Sequence, residues 1–203
     1  MKGHGYLVRY CDDFVTLVQY KDDAGMIHKE LKQRLGDNGL ATNEDKTRVI
    51  GFGRFEKINA QSAKRKPSTF DFLGFTHFIG ISRLGKFKVG RKTSKKRFRR
   101  SVVAMNRWLS AVRNAASVKE WWKSLASKMR GHYAYYGVTD NSRSIAKYYL
   151  EVIILVHKWL NRRSQRKSMN WDGYQKYLEK FPLPKPRIVH SFSVPRQLCQ
   201  TTY

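Results

Sequence analysis

The sequence is poor in cysteine and in long apolar runs, and each shortage excludes a class of protein. Only Cys11 and Cys199 are present among 203 residues. Two cysteines are too few for a disulfide framework or a zinc site, so a reducing cytoplasm is the expected location. The most apolar run, residues 148–156, is interrupted by Glu151. It is much shorter than the roughly 18 residues that a membrane span needs.

Acidic residues are also scarce, and the resulting charge predicts a polyanionic partner. The chain has 15 Asp and Glu against 41 Lys and Arg, a net charge of +26. Nucleic acid and a membrane surface are the two polyanions that such a charge would attract. The basic residues alternate with 11 Tyr, 11 Phe and 5 Trp. Because aromatic rings stack on bases, we expect nucleic acid and no membrane.

The amino-terminal part begins with the pattern of a hairpin. Two runs rich in β-formers, residues 6–10 and 14–18, are separated by a turn that contains Asp12 and Asp13. Residues 22–36 carry apolar side chains at helical spacing and predict an amphipathic helix.

The next segments predict further strands and one loop. Residues 39–53 are typical of a strand, a turn and a second strand, whereas residues 55–69 lack periodicity and predict a basic loop. Residues 70–90 predict two more strands, with a turn at Leu84 and Gly85.

After Gly90 the period becomes helical. A helix is expected from about residue 95, with one apolar face formed by Phe98, Val102, Met105, Leu109 and Val112. Ser117 and Glu120 have the spacing of a capping box at the start of a second helix. A long helix over 142–163 and a short one near 171–181 follow, and prolines make the tail extended. The sequence therefore predicts an α+β fold, mixed over residues 1–92 and helical and basic over 93–203.

The adjacent carboxylates Asp12 and Asp13 are the strongest chemical signal. Two acids at the tip of a hairpin can bind Mg²⁺ through hard oxygen ligands. The same dipeptide is also ordinary turn chemistry. An aromatic residue at position 10, apolar strands on both sides and a strongly basic chain together favour a metal site for phosphoryl transfer.

Three blocks in this order resemble a known family. "YCDDF", an amphipathic helix, "GLATNEDKT" and "FDFLGF" are similar to the second half of a reverse transcriptase palm, and specifically to the group II intron reverse transcriptase/maturase family. "RGHYAYYGV", "HKWLNRRSQRK" and "FPLPKPRIVHSF" resemble its thumb and maturase region. The resemblance implies a partial palm of antiparallel hairpins and one helix, followed by an all-α thumb/maturase region.

The resemblance also assigns catalytic roles to individual residues. It implies that Asp12 is the stronger and Asp13 the weaker Mg²⁺ ligand, and that Tyr10 supports the hairpin near the primer end. Lys46 would approach the incoming triphosphate as a general acid or charge stabiliser, or it is a solvated turn lysine. Gly74, in the block that resembles a primer grip, would allow close approach of a nucleic-acid strand.

Two basic runs would contact nucleic acid by the same resemblance. The first starts the thumb and would follow backbone phosphates, unless it is only a solvated charged face. It comprises Arg91, Lys92, Lys95, Lys96, Arg97, Arg99 and Arg100. The second would contact intron RNA. It comprises Arg162, Arg163, Arg166 and Lys167. In the tyrosine-rich block between them, we interpret His132 as structural.

The resemblance implies that fingers and a first palm half, with a further metal-binding aspartate, precede Asp12 in the family. We therefore expect the chain to begin inside the catalytic domain and to lack polymerase activity alone. A separate chain is a possible source of the other half. The expected partners are group II intron RNA and an RNA/DNA primer-template. The alternatives are a stand-alone RNA-binding maturase-like module and a decayed reading frame.

Overall fold

The structure is a computed structural model that describes residues 1–163 and 168–191. It divides the chain into two compact units. The first contains Met1–Leu73 and His77–Val89, and the second contains Gly74–Thr76 and Gly90–Tyr203. The described residues form five strands and six helices. The expected α+β class is therefore confirmed.

The predicted hairpin and helix at the start of the chain are present. Strand β1 (Gly5–Tyr10) pairs antiparallel with β2 (Asp13–Val18), and Tyr10 lies opposite Asp13 in the register. Helix α1 (Lys21–Asp37) follows. Asp23 in its first turn is buried and accepts hydrogen bonds from the backbone N–H groups of Lys2 and Gly3. These bonds lower the pKa of Asp23.

Two predictions between α1 and the next sheet are wrong. Residues 39–53 form no strand; their backbone has no neighbouring strand to pair with among the residues described. Residues 55–69, expected to be a loop, contain helix α2 (Glu56–Ser62). Buried Glu56 binds the Arg65 guanidinium and the N–H and hydroxyl of Ser68, which closes the segment after α2. These contacts join Glu56 to residues 9 and 12 positions away and produce no periodic pattern in the sequence.

A three-stranded sheet follows in the order β3-β4-β5. Its strands are β3 (Phe70–Phe72), β4 (Phe75–Ile81) and β5 (Phe87–Thr93). The predicted turn at Leu84 and Gly85 is confirmed. Gly85 has φ +72°, and the N–H of Ser82 donates to the carbonyl of Lys86 at 2.7 Å.

The second unit is built around four helices. They are α3 (Lys95–Ala115), α4 (Val118–Tyr136), α5 (Ser142–Asn161) and α6 (Trp171–Lys180). Ser94 caps α3, and the predicted capping box between Ser117 and Glu120 is present at the start of α4. The apolar face predicted for α3 packs into the core, with Met105 and Leu109 buried.

The remaining core comes from the other three helices and the tail. Its buried members include Leu125, Met129, Val152, Val156, Tyr174 and Leu183. Residues 181–191 of the tail form no helix, and the N–H groups of Val189 and His190 both donate to the carbonyl of Gly137. Throughout the described part of the chain, no helix is long and apolar enough to cross a membrane.

Candidate metal-binding turn and nucleic-acid interface

The turn between β1 and β2 carries two exposed carboxylates, those of Asp12 and Asp13. Asp12 lies in the turn and Asp13 opens β2, and both are exposed. Neither side chain forms a hydrogen bond or ion pair with any described residue. The turn itself is held by Arg9, whose Nε donates to the carbonyl of Cys11 at 2.9 Å. Cys11 adopts φ +49°, a backbone conformation that residues other than glycine rarely adopt.

These carboxylates fit Mg²⁺ only as a partial ligand set. Within residues 1–163 and 168–191, no group of three or more His, Cys, Asp or Glu side chains could hold a metal. Mg²⁺ commonly binds one or two protein carboxylates and completes its octahedron with water and substrate phosphates. The pair Asp12 and Asp13 therefore matches a shared magnesium site and not a closed protein site.

The hairpin that carries the acids exposes apolar side chains on both faces. Tyr6 is 68% exposed, Leu7 64%, Val8 48% and Leu17 45%. Because neighbouring residues on a strand point to opposite faces, these values place apolar surface on each face. Two-stranded hairpins of this kind are marginally stable in water without a covering element.

Lys46 belongs to a separate turn. The Asn43 side chain accepts from the N–H of Lys46 at 3.2 Å, and the Asn43 carbonyl accepts from the Thr47 hydroxyl at 2.9 Å. Lys32 of α1 binds Glu44 at 2.8 Å and lowers the pKa of Glu44. Lys46 is exposed, and within the described residues no hydrogen bond or ion pair links it to Asp12 or Asp13.

Gly74 lies directly against the start of α3. It adopts φ +81°, and its carbonyl accepts a hydrogen bond from the N–H of Ser94 at 3.0 Å. A Cβ at this position would lie 3.4 Å from the Tyr136 hydroxyl oxygen and 3.5 Å from Cγ of Arg97. The predicted close-approach residue is thus in contact with the predicted basic run.

The first turns of α3 form a basic face without acidic neighbours on the same helix. All five of its predicted contact residues are exposed and have no ion pair among the described residues. They are Lys95, Lys96, Arg97, Arg99 and Arg100. The helix has no Asp or Glu at all. We call these five residues the α3 basic face. Arg91 and Lys92 precede it in β5 and interact with other residues of the protein.

Two residues of the second predicted basic run, Arg162 and Arg163, make contacts within the protein. Arg163 donates to the carbonyls of Arg113 and Ala116 at 2.6 and 2.9 Å, which satisfies the end of α3. The Arg162 guanidinium carbon lies 5.4 Å from the Trp159 ring centroid. Arg166 and Lys167 lie outside the described residues.

Sequence reasoning missed an aromatic and basic group on α3, α4 and α5. The Lys128 Nζ lies 5.1 Å from the Trp108 ring centroid, and His132 stacks on Tyr148 with centroids 3.6 Å apart. Burial lowers the pKa of His132 from 6.5 to about 4. The alternating basic and aromatic composition was the only available signal, because helix packing alone brings these residues together.

Comparison with known proteins gives no family assignment. The sequence matches no protein-family model and no curated protein, and the fold matches no solved structure.

Proposed function

We propose that the chain binds structured RNA through the α3 basic face, as part of a group II intron-type reverse transcriptase/maturase. The supporting observation is the exposure of five cations that have no ion pair among the described residues, on a helix free of acidic residues. Clustered cations repel one another and release counterions from phosphates when they bind RNA. The contact between Gly74 and Arg97 adds Gly74 of the primer-grip-like block to this surface.

The catalytic part of the proposal concerns Asp12 and Asp13. Both are exposed and have no side-chain partner among the described residues, which leaves them available to hold Mg²⁺ together with a phosphate. Magnesium bound there would stabilise the charges that develop during nucleotidyl transfer. Lys46 would neutralise charge on a triphosphate if a bound nucleic acid brings it near. The isolated chain is not expected to extend a primer, because the hairpin supplies only two carboxylates.

A second polypeptide segment is the proposed cover for the β1–β2 hairpin. Apolar surface on both faces, with Tyr6 and Leu7 about two-thirds exposed, favours contact with further palm structure. A separate chain with the other half of the palm would supply it. The α3 basic face favours RNA binding by the chain alone. The exposed apolar hairpin favours catalysis only in an assembly with that second chain. We propose that both take place in the cytoplasm.

Anisotropy titration of a folded group II intron RNA fragment tests the proposal. Replacing Arg97, Arg99 and Arg100 together with Gln is expected to weaken binding about tenfold or more. The matched control replaces Lys21, Lys29 and Arg34 of α1 with Gln and removes the same charge. Equal losses for both variants would contradict a specific α3 surface. Vesicles of anionic phospholipid that bind as tightly as RNA would favour a membrane partner instead.

A further inference from the structure

A shallow pocket lies on the second unit where α3, α4 and α5 meet. Its volume is about 290 Å³. Trp108 of α3, Lys128 and His132 of α4 and Tyr148 of α5 contribute to its wall. Sites for drug-sized ligands span roughly 300–1,000 Å³. This pocket lies just below that range, so it suits a ligand no larger than one planar ring system.

The wall is suited to a flat aromatic ligand. The rings of His132 and Tyr148 are nearly parallel, with an interplanar angle of 14°. Tyr148 is almost fully buried and stacks on His132, whose ring centroid also lies 4.7 Å from that of Tyr136. Trp108 is only half-buried. Every nucleobase has a π-face, so an aromatic platform of this kind binds bases with little sequence preference.

His132 also supplies polar atoms for a base edge. Its ring nitrogens form no hydrogen bond with any described residue. Its lowered pKa keeps the imidazole neutral near pH 7. A neutral imidazole has one donor and one acceptor nitrogen, which matches the mixed donor and acceptor edges of bases.

The charge around the pocket is suited to the phosphate attached to such a base. Arg97 precedes Ser101 by one helical turn, and Arg100 precedes Ala104 by one turn; Ser101 and Ala104 both line the pocket. Lys128 adds a cation from the facing helix. The acidic residues of these helices, Glu120 and Glu151, do not line the pocket.

We propose that this pocket binds one unpaired base of an RNA strand whose phosphates lie along the α3 basic face. The inference rests on the RNA binding proposed above. It adds that one base of the bound strand leaves the stack of its neighbours and enters the pocket. Phosphates on Arg97 and Arg100 would place the adjacent base over Trp108, with its edge toward the ring nitrogens of His132. Extruding a base is least costly at a bulge, where it has no pairing partner.

The test uses two RNA hairpins with the same stem, one with a single bulged 2-aminopurine and one with an abasic site at that position. The full chain is expected to quench the 2-aminopurine and to bind the bulged RNA five- to hundredfold more tightly than the abasic RNA. Ala104→Leu should remove that preference, because Ala104 is exposed and a larger side chain would block the pocket without disturbing the core. Val103→Leu, on an exposed neighbour outside the pocket, should retain it.

The outcomes separate this inference from the RNA-binding proposal. Equal affinity for both hairpins, with strong binding, would overturn the base pocket alone. Failure to bind either hairpin would contradict the RNA-binding proposal itself. Free AMP that competes at equal or lower concentration than the bulged RNA would also overturn the inference, because the site would then be a nucleotide site. Trp108→Leu, verified as folded by circular dichroism, should behave as Ala104→Leu does.

Discussion

Asn141 and Thr93 hydrogen-bond to each other twice inside the second unit. The backbone N–H of Thr93 donates to Oδ1 of Asn141 at 2.8 Å, and Nδ2 of Asn141 donates to the Thr93 hydroxyl at 2.9 Å. Nδ2 of Asn141 also donates to the carbonyl of Tyr136, and Asn141 is fully buried. The Asn141 side chain thus connects Thr93, which ends β5 and directly precedes the Ser94 cap of α3, with Tyr136 at the end of α4.

Asn141→Ala is expected to destabilise the protein by about 3 kcal/mol. The substitution leaves buried donors and acceptors of Thr93 and Tyr136 without partners, which costs more than the hydrogen bonds themselves. Urea denaturation measures the change. Asn114→Ala, at an exposed position of α3, is the matched control and should be neutral or slightly stabilising. A loss below about 1 kcal/mol for Asn141→Ala would contradict the role assigned to this contact.

Glu56→Gln is expected to remove part of the acid sensitivity of the first unit. Hydrogen bonding to Arg65 and Ser68 lowers the pKa of Glu56 from 4.5 to about 2. Since the folded pKa is the lower one, its stabilising contribution is present above pH 4.5 and is lost between pH 4.5 and about 2. At neutral pH the variant should lose about 2 kcal/mol.

Unfolding free energies at pH 7, 4.5 and 2.5 measure this effect. Glu30→Gln, at an exposed position of α1, is the control and should follow the wild-type curve. If the Glu56 variant lost stability with acid as steeply as wild type, the Glu56–Arg65 contact would not be responsible.

His132→Phe is expected to change stability in a different pH window. The folded pKa of His132 is about 4, below the unfolded value of 6.5, so the unfolded chain binds a proton first as pH falls. Wild type should therefore lose at most about 3 kcal/mol between pH 6.5 and 4 through this group. Phe can keep the stack on Tyr148 and cannot be protonated.

Thermal unfolding between pH 7 and 4 checks the His132 prediction. The variant should lose less stability over this range than wild type does. His4→Phe, at an exposed histidine, should retain the wild-type loss. Identical pH dependence of wild type and His132→Phe would show that the burial of this imidazole has no energetic consequence.

Replacing both Asp12 and Asp13 with Asn is expected to weaken magnesium binding without changing RNA affinity. Asp12 and Asp13 make no side-chain contact that supports the fold among the described residues. The amide NMR signals of residues 11–13 should shift with millimolar Mg²⁺ in wild type and not in Asp12→Asn/Asp13→Asn. RNA affinity should stay within about twofold. A large loss of RNA affinity in the variant would indicate that these acids support structure and not metal binding.

Elements with local signals were predictable, and elements held by distant contacts were not. The capping box at Ser117 and Glu120 and the β1–β2 hairpin depend on neighbouring residues, and both are present as predicted. Glu56 at the start of helix α2 binds Ser68, and residues 39–53 have no pairing strand among the described residues. The local sequence pattern was therefore misleading in both segments.

The candidate sites follow the same division. The exposed carboxylates of Asp12 and Asp13 and the cations of α3 could be located from their sequence runs. The engagement of Arg163 with Arg113 and the meeting of Trp108 with Lys128 could not, because each joins two helices that only packing brings together. The catalytic role of Lys46 and the nucleic-acid contacts of Gly74 and Tyr10 stay predictions.

The salt dependence of RNA affinity tests the central claim most directly. If the α3 basic face neutralises phosphates, the logarithm of the affinity should fall linearly with the logarithm of salt concentration between 50 and 200 mM. Replacing Arg97, Arg99 and Arg100 with Gln should reduce that slope by roughly two to three, about one for each lost contact. The triple α1 variant at Lys21, Lys29 and Arg34 should keep the wild-type slope. An unchanged slope in the α3 variant would contradict the account.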